Sequence, residues 1–163
     1  MRIFLSHSSK DKESYCNAVA NYLIEKLGKN SIVYDAVTFE AGEKSFDEIN
    51  RTLAISDLYV ILLSDNAVES KWVKYELKEA HKKSIKVYAW VPQFHDRAAL
   101  KKYPNAQMKT LVGKKTVAYN QNGEYFVNPL NKKIQKYEIS ILKEIAKKYD
   151  VDGIILDWLR FDD

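Results

Sequence analysis

Residues 58–63, Leu-Tyr-Val-Ile-Leu-Leu, are hydrophobic at every position, and this run constrains the fold more than any other stretch of the chain. A strand with one wet face alternates apolar and polar residues. A strand without alternation has to be covered on both faces, as at the centre of a parallel sheet. The next long segment is helical: Val73, Leu77 and Ala80 are spaced i, i+4, i+7 to face a core. Trp72 and Glu76, four residues apart, share a neighbouring shoulder of that helix, near the carboxyl end of the preceding strand, where open α/β sheets bind ligands. Glu76 has Trp72, Val73, Glu79 and Ala80 as helical neighbours and no base among them, whereas Glu79 has Lys82 and Lys83 in reach. Two roles suit Glu76: a solvated surface carboxylate, or a catalytic carboxylate beside an aromatic wall.

The rest of the chain repeats the alternation of strand and helix. Residues 2–5 form a short apolar run that opens into the polar stretch 6–11. Ser8 and Asp11 have capping-box spacing, and Tyr15, Val19, Tyr22, Leu23 and Leu27 then recur at helical intervals up to a C-capping Gly28. Residues 32–35 read as a second strand, followed by a loop over residues 38–44. Ser45 and Glu48 form a second capping box before a helix with Ile49 and Leu53 on its buried stripe. A fourth strand, residues 85–91, stops at Pro92. Residues 93–128, punctuated by Pro104, Gly113 and Asn122-Gly123, read as a long irregular connection. Asn131 caps a helix with Ile134, Tyr137, Ile141 and Ile145 on one side, and residues 153–158 give a fifth strand. Right-handed crossovers then predict an α/β fold, a flavodoxin-like three-layer sandwich with a five-stranded parallel sheet in the order 2-1-3-4-5. The fifth strand lacks a covering helix, so a further element or C-terminal domain is expected in the natural protein.

With 163 residues, 46% hydrophobic and 29% charged, the chain suits one ordinary globular domain with a sizeable core. Its lysines are spread over helix faces without interleaved aromatics, so no nucleic-acid partner is expected from the net charge of +4. No apolar stretch approaches the ~20 residues that span a bilayer, and residues 1–6 lack a signal-peptide core, so a cytoplasmic location and no membrane partner are expected. Cys16 stands alone and suits an ordinary thiol, and the three scattered histidines offer no metal-ligand spacing, so no metal is expected. Neither GxGxxG nor GxxxxGK[ST] is present, so no glycine loop cradles a pyrophosphate.

Several features in order resemble a TIR domain, the Toll/interleukin-receptor module, in its bacterial form, over residues 2 to about 83. They are Phe4-Leu-Ser-His-Ser-Ser-Lys-Asp11, Tyr34-Asp35 ending the second strand, the turn from Gly42 to Ser45, the strand end Leu63-Ser64, and Ser70-Lys-Trp-Val-Lys-Tyr-Glu-Leu77. The resemblance implies cleavage of NAD at its nicotinamide-ribose bond, as substrate and not as a retained cofactor, with a part in bacterial defence or signalling. It places the family's glutamate at Glu76, four residues beyond Trp72, and substrate contacts at Ser6, His7, Ser8, Asp35, Phe39 and Trp72. The loop from Thr38 to Ser45, with Ala41, Gly42, Glu43 and Lys44, corresponds to the loop through which such domains self-associate, with Ala41-Gly42 where many members carry Pro-Gly. From about residue 79 onward the chain resembles instead a segment of a glycoside-hydrolase-like (β/α)-barrel family, whose strand-end aspartate would be Asp157. A whole barrel needs about 250 residues, more than this chain has.

Each of these residues has a structural role open to it as well. Ser6, His7 and Ser8 can hydrogen-bond a ribose or phosphates, or cap a helix. Trp72 can stack on nicotinamide or wall a core. Asp157 can pair with Arg160 or cap a turn. Three functions are open, in this order: an NAD nucleosidase, a non-catalytic module that assembles with other TIR domains, and a fragment of a sugar-processing enzyme.

Overall fold

The computed structural model describes residues 1–34, 46–121 and 124–157. Asp35, Phe39, the loop residues Ala41, Gly42, Glu43 and Lys44, the Ser45 cap and Arg160 lie outside the described residues. The chain divides into two compact units, Met1–Trp90 with Asp150–Ile155, and Val91–Tyr149 with Leu156–Asp163.

Strands β1 (Ile3–Ser6), β2 (Ile32–Val33), β3 (Leu58–Leu62), β4 (Lys86–Pro92) and β9 (Gly153–Asp157) form one five-stranded parallel sheet in the order β2-β1-β3-β4-β9. This is the expected 2-1-3-4-5 order. The numbering gap arises because four short strands, β5 (Lys109–Val112), β6 (Lys115–Ala118), β7 (Asn120–Gln121) and β8 (Glu124–Tyr125), form two separate antiparallel pairs. In the register Phe4 lies beside Tyr59 and Ser6 beside Ile61, so side chains segregate by parity. Phe4, Val33, Tyr59, Ile61 and Val87 belong to one core; Ile3, Leu5, Ile32, Tyr34, Val60 and Leu62 belong to the other. The run with no alternation therefore serves two cores at once.

Crossover handedness decides which helix covers which face. The step from β1 to β2 runs one way along the sheet, and the steps to β3 and β4 run the other way, so the connecting helices must lie on opposite faces. Accordingly α1 (Asn17–Leu27) supplies Val19 and Ala20 to one core, with Cys16 just before it. On the other face, α2 (Phe46–Ala54) supplies Ile49 and Leu53, α3 (Asp65–Glu69) supplies Ala67, and α4 (Lys71–Lys82) supplies Val73 and Ala80. Each fully buried Leu or Ile in these layers contributes about 1.5–3 kcal/mol through burial. Gly153 opens β9 because a Cβ there would meet the Tyr88 ring at 2.6 Å.

Three expectations need correction. The first helix turns Cys16, Val19, Ala20, Leu23 and Ile24 to the core, so Val19 and Leu23 stand where expected while Tyr22 and Leu27 are exposed. A π-helical turn, Lys12–Cys16, precedes α1. Secondly, β2 ends at Val33. Thirdly, residues 93–128 are not an irregular connection. They hold α5 (Arg97–Lys102), the turn Pro104–Ala106 and the two hairpin-like strand pairs. Val112 pairs with Lys115 across Gly113-Lys114, a two-residue turn that needs positive φ, and Gly113 has φ +62°. The helix capped by Asn131 is α6 (Lys132–Lys148). Among the described residues no helix is long and apolar enough to cross a membrane, and no cluster of three His, Cys, Asp or Glu could hold a metal.

Candidate active site

The switch point of this sheet lies between β1 and β3, whose outgoing chains leave in opposite directions at their carboxyl ends. Ser6 is the last residue of β1 and is buried. By parity it shares the face of Phe4, the face that α4 covers. The N-terminus of α4 is set by Ser70, whose side chain accepts from the Val73 backbone N–H. From that start the buried positions of α4 are Val73, Glu76 and Ala80, i, i+3 and i+7, so Glu76 stands in the middle of the core-facing stripe. It is 1% exposed, and the Ser6 hydroxyl donates to its Oε2 at 2.5 Å across 70 residues of sequence.

Tyr59 completes the group. Its ring stacks on Phe4 with centroids 5.6 Å apart, and its hydroxyl points to the Val73 carbonyl at 3.4 Å. Burial holds its phenol well above the ordinary tyrosine value, the Glu76 carboxylate adds to that, and a hydrogen bond with Ser6 works in the other direction. Tyr59 is thus a neutral phenol beside a buried carboxylate. The sequence reading missed it, although its position beside Phe4 in a parallel pair is the signal that would have found it.

The other expected residues separate. His7 has the opposite parity to Ser6 and lies with Tyr34, ring centroids 4.8 Å apart. Its Nδ1 is 2.8 Å from the Ser8 carbonyl, which can only accept, so Nδ1 carries the proton. Tyr34 in turn donates to Asn17 Oδ1 at 2.7 Å. Ser8 caps the turn Ser9–Asp11, accepting from the Lys10 N–H, so its structural role is met. Asp11 has a different use from the expected capping box. Its carboxylate accepts from Ser64 Oγ at 2.5 Å and from Asn66 Nδ2 at 2.6 Å, which ties the loop after β1 to the loop after β3 beside the switch point.

Trp72 and Glu76 do not share one surface. Trp72 is 37% exposed and its ring lies 5.1 Å from that of Phe46, which meets Tyr75 edge-on at 4.6 Å. The aromatic wall beside Glu76 is Tyr59. Asp157 ends β9, half-buried, with its backbone carbonyl accepting from the Gln93 N–H at 2.8 Å. Glu79 is paired with Lys82 at 2.5 Å, as its spacing implied.

Fold and site together define a class: an open parallel α/β sheet of flavodoxin-like order with a carboxylate and a hydroxyl at its switch point. The chain belongs to the TIR domain family, matched over residues 3–113, and over residues 71–161 to the family described as glycosyl hydrolase-like 10. It is similar to the NAD(+) hydrolase TirS of Staphylococcus aureus, 40% identical over 74 residues, which is 45% of this chain and 26% of that protein. It is also similar to the 2' cyclic ADP-D-ribose synthase AbTIR of Acinetobacter baumannii, 33% identical over 75 residues, 46% of this chain and 27% of that protein. The matched segment thus spans about a quarter of the length of these relatives. A crystal structure of a hypothetical protein from Ruminiclostridium thermocellum has the same fold, with TM-score 0.57 and 22% identity over 73% of each chain.

Proposed function

We propose that this chain is a TIR-domain NAD+ nucleosidase, cleaving the bond between nicotinamide and ribose, with Glu76 as its catalytic carboxylate. The observation that carries the reading is the buried Ser6–Glu76 pair at the switch point of the sheet. The naming of two relatives for reactions of NAD and of cyclic ADP-ribose supports it. As the bond breaks, nicotinamide leaves neutral and positive charge spreads over the ribose, as in glycoside hydrolysis. Water then adds at the same carbon and releases a proton, or a ribose hydroxyl adds there and gives a cyclic product. A carboxylate held in place by Ser6 and shielded from water attracts that charge more strongly than a solvated one would. Tyr59, neutral, limits the room around the carboxylate without competing for a proton. We place the protein in the cytoplasm, self-associating, in bacterial defence or signalling.

The rival reading is a non-catalytic module that assembles with other TIR domains through the 38–45 loop. A series of nicotinamide-release assays over a wide range of protein concentration separates the two. The enzyme should show a rate rising more than linearly, because assembly completes the site, and a scaffold should release nothing at any concentration. Gly42→Pro should weaken self-association and activity together with little change in melting temperature, since a turn glycine tolerates backbone angles that proline resists. A rate strictly proportional to concentration would remove assembly from the account.

The sugar-processing reading stands third, because hydrolysis of a glycoside needs two carboxylates about 5–10 Å apart. If Asp157 is structural, Asp157→Asn should leave nicotinamide release unchanged. Loss of activity in a folded Asp157→Asn protein would make that residue part of the same site.

A further inference from the structure

The charge of this protein is distributed unevenly. Between Arg97 and Gly123 there are six cations, Arg97, Lys101, Lys102, Lys109, Lys114 and Lys115, and no Asp or Glu. The remaining residues carry 20 Lys or Arg against 22 Asp or Glu, so the whole positive excess resides in that stretch. Half of those cations, Lys109, Lys114 and Lys115, lie on the hairpin formed by β5 and β6, in which every strand residue is exposed. At about 3.3 Å per residue the four-residue strands make an arm roughly 13 Å long. Leu111 and Val112, next to the Gly113 turn, are 72% and 63% exposed. Lys26, Lys82, Lys86 and Lys148 elsewhere are in ion pairs, whereas Lys109, Lys114 and Lys115 are in none among the described residues.

Lysines on a short exposed hairpin can be explained as protection against edge-to-edge pairing. Two adjacent aliphatic side chains beside its turn cannot, because they add the hazard that the lysines would remove. We infer that the hairpin is a docking surface for an anionic lipid bilayer, with Leu111 and Val112 entering the headgroup boundary and Lys109, Lys114 and Lys115 meeting lipid phosphates. A nucleic acid would match the charge but would leave the aliphatic pair in water, and the hairpin offers no aromatic ring for a base to stack on. Lysine stems lie along an apolar boundary while their ammonium groups stay at phosphate level, which suits the mixed composition of both hairpin faces. Such a contact needs no spanning segment.

The test is co-sedimentation of the full chain with vesicles of phosphatidylcholine alone and of phosphatidylcholine mixed with phosphatidylglycerol. Binding should require the anionic lipid and should weaken with salt. Lys114→Glu with Lys115→Glu should reduce it about tenfold or more, and Leu111→Ser with Val112→Ser by about tenfold. Both pairs lie on exposed positions, so the melting temperature should not move. The inference is overturned if the wild-type chain fails to sediment with anionic vesicles, or if neither double variant weakens binding. It is also overturned if a single-stranded oligonucleotide binds instead, and does so equally well after the Leu111 and Val112 substitutions.

Discussion

Glu76→Gln should lower the turnover of NAD by about 10²–10³, while NAD binding stays within a few fold and the protein melts no lower than wild type. The glutamine keeps the volume of the side chain and an oxygen able to accept from the Ser6 hydroxyl now 2.5 Å from Oε2. What is lost is negative charge where positive charge develops in the transition state, so the effect falls on kcat more than on KM. Stability should not suffer, because a charge buried at 1% exposure costs solvation that an amide does not lose. A purely structural glutamate would behave in the opposite way, with stability falling and no specific kinetic signature. Glu79→Gln is the control three residues on. It breaks a surface pair with Lys82, worth at most ~0.5 kcal/mol, and should leave turnover intact.

Glu138→Gln should raise the melting temperature at pH 8 by about 3–6 °C and leave it unchanged at pH 4. Glu138 lies on the buried stripe of α6 with Ile134 and Ile145, and its Oε1 has no hydrogen-bond partner among the described residues. Burial, with the charge of Asp96 adding to it, raises its carboxyl from 4.5 to about 7. A carboxyl raised on folding binds its proton more tightly in the native state, so its contribution to stability is complete below the unfolded value. It declines as pH climbs from about 4.5 to about 7 and is constant above that window. The full shift corresponds to about 3 kcal/mol, which solvent relaxation around the ionised form reduces to about 1–2 kcal/mol. Glutamine has no proton to lose, and its amide can donate toward the Asp96 charge. Thermal melts of both proteins from pH 4 to pH 8 check this, and parallel curves over the whole range would count against it.

The sheet was legible because its signals are local and redundant: a doubly apolar run at β3, capping serines before helices, and a 3.6-residue stripe on α4. The partner of Glu76 was not legible, because it depends on two facts that only combine in space. Ser6 shares the parity of Phe4, and the reversal of direction at β1 puts α4 over that face. Glu76 itself fits the stripe three residues after Val73 and four before Ala80. Hydrophobic periodicity passes over such a position because the residue filling it is charged, and Glu138 escaped on α6 for the same reason. The π-helical turn before α1 leaves no pattern in the residues. The hairpin after residue 108 did leave one, two β-branched runs either side of Gly113-Lys114, which was outweighed by the proline and glycines around it. The overlap of the two family matches, residues 71–113, contains α4 and β4, a helix followed by a parallel strand, which a doubly wound sheet and a (β/α)-barrel both require.

The central claim is that a buried glutamate on α4 drives the loss of nicotinamide from NAD. Its most direct test is a mass balance: wild type and Glu76→Gln are incubated with NAD at one high protein concentration, and NAD, nicotinamide and ADP-ribose products are quantified over time. The expected result is one nicotinamide released per NAD lost with the wild type, and release close to background with a Glu76→Gln protein that still melts cooperatively. Equal rates for the two proteins, or intact NAD with a folded wild type, would contradict it.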